Sequence, residues 1–296
     1  MFEGVYPPIP TPFDDDGALA LDRLAANLEK WNAVTPALAG YVVMGSNGEA
    51  PHLSGDEAVR LVGRTRRIAL PSMKVIAGTG QLSTWATIEV TQRAIDAGAD
   101  AVLVVTPFYY KGRMTGDALK RHYFAVADAS SVPLVVYNVP ANTGFNIPPG
   151  VVAELAAHDN IAGIKDSAGD VNQLAELVRL TAGLEFEVLS GNFGAFLPSM
   201  SFGVKGAILA VANVAAGASV AMFEAARAGR WPAAGALHLR LLPVARAVTT
   251  QYGVPGLKAA LDLLDYYGGA PREPLLPLPD SARDEVGRIL RDADLL

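Results

Sequence analysis

A chain of 296 residues has room for one large α/β barrel or two smaller domains. With 51% hydrophobic and 18% charged residues it can bury a large core, which excludes a mainly disordered chain. The net charge of −6 argues against nucleic-acid binding, and zero cysteines exclude disulfides, thiolate catalysis and cysteine-held zinc or iron–sulfur clusters.

Taken in order, the chain opens Met1-Phe2-Glu3-Gly4, without the basic and apolar regions of a secretory leader, and a cytoplasmic protein is the expectation. Apolar runs that read as strands lie at 4–6, 40–44, 74–78, 101–106, 133–137, 161–165, 186–189 and 206–210. They are continuously apolar rather than alternating, which is what strands covered on both faces require. Helix marks fall between them. Ser54-Gly55-Asp56-Glu57 reads as a capping box, followed at helical spacing by Ala58, Leu61, Val62, Thr65 and Ala69. Ile88, Thr91 and Ile95 repeat the spacing before Gly98, a C-terminal cap; Leu119, Tyr123 and Val126 repeat it again. Eight strands alternating with helices predict a (β/α)₈ TIM barrel, with a doubly wound open sheet as the alternative.

The uncharged run 206–223 approaches the length of a membrane span, but its Gly, Ala and Val content and internal Asn213 read better as a buried strand, a loop and a core-facing helix. From 214 to 296 the periodicity is helical only, broken at 229–231, 253–255 and 271–279. We therefore expect a barrel over residues 1–228 and a helical annex over 229–296, packed together as one unit.

Barrel chemistry belongs at the C-terminal ends of the strands, and four of these ends carry unusual residues. The second strand ends in Gly45-Ser46-Asn47-Gly48-Glu49, the fourth in Thr106-Pro107-Phe108-Tyr109-Tyr110, the fifth in Tyr137-Asn138-Val139-Pro140 and the sixth in Lys165. Each has a plain structural reading. Lys165 can be solvated or paired with Asp166, the glycines can form an ordinary turn, and the tyrosines can be rim or core residues. Together at one mouth they favour an iminium-forming site. Burying a lysine disfavours its charged form, and a neutral amine adds to a ketone. Backbone N–H groups of the Ser46–Gly48 turn can receive a carboxylate, Tyr137 can move a proton, and the Ser46 hydroxyl can link Tyr137 to Tyr109.

These motifs, with Tyr137-Asn138-Val139-Pro140-Ala141-Asn142-Thr143-Gly144 and Gly163-Ile164-Lys165-Asp166, resemble the dihydrodipicolinate synthase/N-acetylneuraminate lyase family from the first strand into the C-terminal helices. The resemblance implies a (β/α)₈ barrel with a helical extension and no cofactor. Lys165 would hold pyruvate as a Schiff base, Tyr137 would handle the proton, and Ser46 with Tyr109 of a neighbouring subunit would complete a relay in a dimer or tetramer. Dihydrodipicolinate synthases usually carry two threonines where Ser46 and Asn47 stand, and an arginine at Asn142 that attracts the carboxylate of aspartate semialdehyde. Gly-Ser-Asn-Gly-Glu at 45–49, Tyr-Tyr-Lys-Gly-Arg-Met at 109–114, Lys-Asp-Ser-Ala-Gly-Asp at 165–170 and Gly-Val-Pro-Gly-Leu-Lys at 253–258 look most like the 4-hydroxy-2-oxoglutarate aldolases of that family. The implied reaction is cleavage of 4-hydroxy-2-oxoglutarate to pyruvate and glyoxylate, with Ser46, Asn47, Gly48, Asn142 and Ser167 as substrate contacts. The alternatives are condensation of pyruvate with aspartate semialdehyde, another pyruvate-linked lyase or dehydratase, and a catalytically silent barrel that binds 2-oxo acids.

The loop 190–194 follows the seventh strand, where barrels often hold phosphate, but no implied substrate is phosphorylated and a rim loop over the Schiff base fits better. Lys111 and Arg113 can draw a dianion toward the mouth or be a solvated basic turn. His52, His122, His158 and His238 have no metal-ligand spacing, and no nucleotide, flavin or pyridoxal motif follows a strand. The partners expected are a small 2-oxo acid and further copies of this chain.

Overall fold

The computed structural model describes residues 1–35 and 37–296. Eight strands form one parallel sheet: β1 Gly4–Tyr6, β2 Gly40–Val43, β3 Lys74–Gly78, β4 Ala101–Val105, β5 Leu134–Asn138, β6 Ile161–Asp166, β7 Glu187–Ser190 and β8 Gly206–Ile208. Their order is β1-β8-β7-β6-β5-β4-β3-β2, so every strand lies beside its sequence neighbour and the last pairs with the first. The seam between β1 and β2 closes through backbone bonds from Ala39 N–H to Val5 O (3.1 Å), Val42 N–H to Pro7 O (3.0 Å) and Ile9 N–H to Val42 O (2.9 Å). An open doubly wound sheet has no such seam. The fold is a (β/α)₈ barrel.

Period-two alternation explains why the strands read as unbroken apolar runs. Tyr6, Val42, Ile76, Leu103, Val135 and Leu189 fill the barrel interior. Their neighbours Val5, Tyr41, Val75, Val102, Val136 and Val188 face outward into the helical layer. The helix Gly55–Ile68 begins at the expected capping box, Ser54 accepting from Glu57 N–H and Glu57 from Ser54 N–H, and buries Ala58, Leu61, Val62 and Thr65. Gly98 stands just beyond the helix Thr84–Asp96 at φ +100°, a backbone that favours glycine.

The uncharged run resolves into β8, a 3₁₀ turn Ala210–Asn213 and the helix Ala216–Arg227. No helix among the described residues is long and apolar enough to cross a membrane. The helices Trp231–Arg246, Gly253–Leu263 and Asp280–Asp292 follow. The break expected at 253–255 is instead a helix start, because a proline in the first turn removes no intrahelical hydrogen bond. The interruption comes just before it, as a π-helical turn Ala247–Gln251.

The helix Gly116–Asp128 buries Leu119, Tyr123 and Val126 as expected, and His122 with them. Nδ1 of His122 lies 3.0 Å from Thr84 Oγ1, and burial pushes the imidazole down to about 4. The unfolded chain takes up this proton near pH 6.5, the folded chain only near 4. Stability from this group is therefore complete above about 6.5 and falls by about 3 kcal/mol as the pH drops toward 4. We expect His122→Gln to flatten the loss of unfolding free energy between about pH 7 and 4.5; an unchanged slope in denaturant titrations contradicts it.

Candidate active site

The register of β5 and β6 sets Tyr137 directly beside Lys165, and that of β6 and β7 sets Lys165 beside Leu189. Tyr137 and Leu189 both belong to the barrel interior, so Lys165 enters the lumen with them, at the C-terminal mouth. It is 4% exposed, and its Nζ lies 4.1 Å from the centroid of the Tyr137 ring. Asp166, the next residue, points to the other face. Its carboxylate accepts from Asn138 Nδ2 and Gln173 Nε2, each at 2.7 Å, and from Ala168 N–H at 3.1 Å. These amides satisfy Asp166, and it does not serve as the counter-ion of Lys165.

Ser46 opens a 3₁₀ turn, Ser46–Gly48, at the end of β2, with its Oγ 3.2 Å from the Tyr137 hydroxyl. The turn spends its own donors unequally. Gly48 N–H bonds Gly45 O at 3.0 Å, and Gly48 O accepts from Thr11 Oγ1 at 2.6 Å. Among the described residues the N–H groups of Ser46 and Asn47 have no acceptor. Gly48, expected as a substrate contact, is placed differently from Ser46 and Asn47. It lies behind the turn, outside the cavity, and its N–H is used to shape the turn rather than offered to a ligand.

A cavity of about 330 Å³ is lined by Lys165, Tyr137, Ser46, Asn47, Asn142 and Ser167. Lys165 is the one charged side chain lining it among the described residues. A single cation surrounded by neutral donors suits a carboxylate bound beside an iminium. Gly191 completes the wall, its N–H donating to Asp166 O at 2.7 Å. A Cβ there would stand 1.9 Å from Ser167 Oγ and 2.9 Å from Lys165 Cε. Gly191→Ala is thus expected to slow covalent capture of pyruvate by about 100-fold, as a displaced nucleophile does. Borohydride trapping at the wild-type rate would show that the wall yields.

Some expected residues are not brought together within one chain. Tyr109 is 71% exposed and sits edge-on against Tyr110, ring centroids 5.0 Å apart, away from the cavity. Lys111 and Arg113 occupy an exposed 3₁₀ turn and do not line the cavity. The four histidines each have a separate setting: His52 on Glu49, His122 on Thr84, His158 on Asp128 and His238 stacked on Phe193. Among the described residues no cluster of acidic and histidine side chains could hold a metal ion. The sequence pattern missed Thr249 and Thr250, which line the cavity from the π-helical turn, because nothing in it links the C-terminal helices to the mouth.

The profile of the dihydrodipicolinate synthetase family matches residues 1–293. The chain is 37% identical over 292 residues to the 4-hydroxy-tetrahydrodipicolinate synthase of Methanoculleus marisnigri, covering 98% of this chain and 99% of that one. It is 38% identical over 287 residues to the enzyme of the same name from Exiguobacterium sp., covering 97% and 96%. Among solved structures, the dihydrodipicolinate synthase of Acinetobacter baumannii complexed with pyruvate matches 100% of both chains, with a TM-score of 0.94 at 32% identity.

Proposed function

Because the chain belongs to the dihydrodipicolinate synthetase family, whose members are Schiff-base-forming, pyruvate-dependent lyases, we propose that Lys165 is the lysine that captures pyruvate. Its free amine attacks the C2 carbonyl, the carbinolamine loses water, and a protonated iminium remains. Loss of a proton from C3 gives an enamine, which attacks an aldehyde carbonyl to form a carbon–carbon bond. Run backward, the same steps cleave an aldol. Tyr137 gives the proton to the aldehyde oxygen in condensation and takes it from the 4-hydroxyl in cleavage, with Ser46 as the next member of the relay. The pyruvate carboxylate sits on the N–H groups of Ser46 and Asn47. The observation that carries this reading is the register pair of Tyr137 and Lys165 in a cavity with no other charge.

Support for the second substrate is divided. The relatives' name, 4-hydroxy-tetrahydrodipicolinate synthase, supports condensation of pyruvate with aspartate semialdehyde ahead of the 4-hydroxy-2-oxoglutarate cleavage that the motifs suggest. One observation keeps cleavage as the second reading: the cavity wall carries Asn142 at the position where dihydrodipicolinate synthases usually have the arginine that attracts the semialdehyde carboxylate. Assays with both substrate sets decide between them. A higher kcat/KM for condensation supports the first reading, and release of pyruvate and glyoxylate supports the second. Trapping of pyruvate with turnover of neither points to a silent 2-oxo acid-binding barrel.

The same reading makes the protein a homo-oligomer, a dimer or tetramer, in which Tyr109 of the partner subunit reaches Ser46. A second cavity of about 510 Å³, lined by Leu82, Phe108, Ser46 and Tyr137, opens beside the relay and offers it a path. Tyr109→Phe is expected to lower kcat by about 10-fold without changing the oligomer's size on gel filtration. An unchanged kcat removes Tyr109 from the relay.

A further inference from the structure

Behind the Ser46–Gly48 turn lies a buried ion pair that no step above uses. Glu49 ends the turn at φ 54°, a left-handed conformation, and is 2% exposed. Lys258 is 1% exposed and reaches it from the helix Gly253–Leu263, with Nζ 2.7 Å from Glu49 Oε1. The contact is ionic without hydrogen-bond alignment; Lys258 Nζ donates instead to Ala270 O at 2.9 Å. Glu49 Oε2 accepts from Arg272 N–H at 2.9 Å and lies 3.2 Å from His52 Nδ1. Burial pushes the Lys258 pKa down, with Glu49 opposing.

A buried ion pair is often no more stabilising than apolar side chains of the same volume, so stability alone is a weak reason for this one. What it joins is more telling. Glu49 follows the turn that presents Ser46 and Asn47, and Lys258 sits on the helix whose Gly253 and Val254 line the same cavity. A left-handed backbone is uncommon for a non-glycine residue, and Glu49 is held in it by its side-chain contacts to Lys258 and Arg272 together with its backbone bonds to Ser46 and His52.

We propose that Glu49 and Lys258 are positioning residues whose buried contact holds the N–H groups of Ser46 and Asn47 in place for the pyruvate carboxylate and keeps Ser46 Oγ on Tyr137. This rests on the reading of Lys165 as the pyruvate-binding lysine. It extends the site to two residues outside the lining of the cavity that holds Lys165.

The test separates positioning from stability. Lys258→Met leaves an unpaired buried carboxylate and is expected to lower the melting temperature. The double variant Glu49→Gln/Lys258→Met removes both charges and recovers most of that loss. The half-saturating pyruvate concentration for borohydride trapping on Lys165 stays raised in the double variant by about 10-fold, while maximal labelling per folded molecule is unchanged. Glu49→Gln alone, the milder variant, shows the same rise. A stable variant with wild-type half-saturation overturns the proposal. Should wild-type protein trap no pyruvate, the reading of Lys165 fails separately. The proposal is then judged by a crystal structure of Glu49→Gln: loss of the Ser46–Tyr137 contact supports it, and an unmoved turn overturns it.

Discussion

Lys165→Ala is expected to lower kcat by about 10⁴-fold or more with either substrate pair, because under the proposed mechanism it removes the covalent intermediate and not merely a contact. The fold persists. The side chain is buried in the barrel mouth, so its loss leaves a small cavity but also relieves a buried amine that has no carboxylate partner in Asp166. Those effects oppose, and the melting temperature should stay within about 5 °C of wild type. Arginine at 165 is the sharper control, since it keeps the charge and cannot form an imine. Substantial turnover by either variant, measured on protein free of wild-type contamination, would remove Lys165 from the chemistry.

Tyr137→Phe is expected to act on a different step. The ring that lies 4.1 Å from Lys165 Nζ remains, so the lysine keeps its neighbour and trapping of pyruvate is expected to persist. What disappears is the hydroxyl, 3.2 Å from Ser46 Oγ, that in the proposed mechanism moves the proton at the aldehyde oxygen. A lost general acid–base group costs about 10²–10³-fold in kcat, and KM for pyruvate should stay within about 3-fold. Such a split, with slow turnover and ordinary trapping, assigns the proton to Tyr137. Equal losses in trapping and turnover would mean that the tyrosine merely shapes the site.

Much of the barrel is legible in the sequence because each strand is apolar on both faces. β3 spans the expected 74–78, and most other strand ends fall within one residue of expectation. β2 stops at Val43 because Met44 turns to φ 58°, and β8 stops at Ile208 ahead of a 3₁₀ turn. Lys165 stands out as the cation that ends an apolar run, but its register with Tyr137 shows only in the structure, where a shift between Leu134 and Val135 sets the pairing. The turn's motif names its residues but not which N–H groups they spend on one another, so the internal bond of Gly48 N–H is not legible in it. Distant pairings are also hidden. Thr249 and Thr250 reach the cavity, and Lys258 reaches Glu49, only because the C-terminal helices fold back over the mouth. No local periodicity encodes that return.

The relatives' names and the departure at Asn142 pull toward different aldehydes, yet both readings share the first covalent step. Exchange of the residue at 142 is a natural way for one barrel to change substrate while Lys165 and Tyr137 keep their work.

That first step is open to one direct measurement: treatment of the protein with pyruvate and borohydride, then mass analysis of the peptides. Expected is one reduced pyruvyl group per chain, carried by the peptide containing Lys165 and absent without pyruvate. A label on Lys258 or another lysine, or no label at saturating pyruvate, would contradict it.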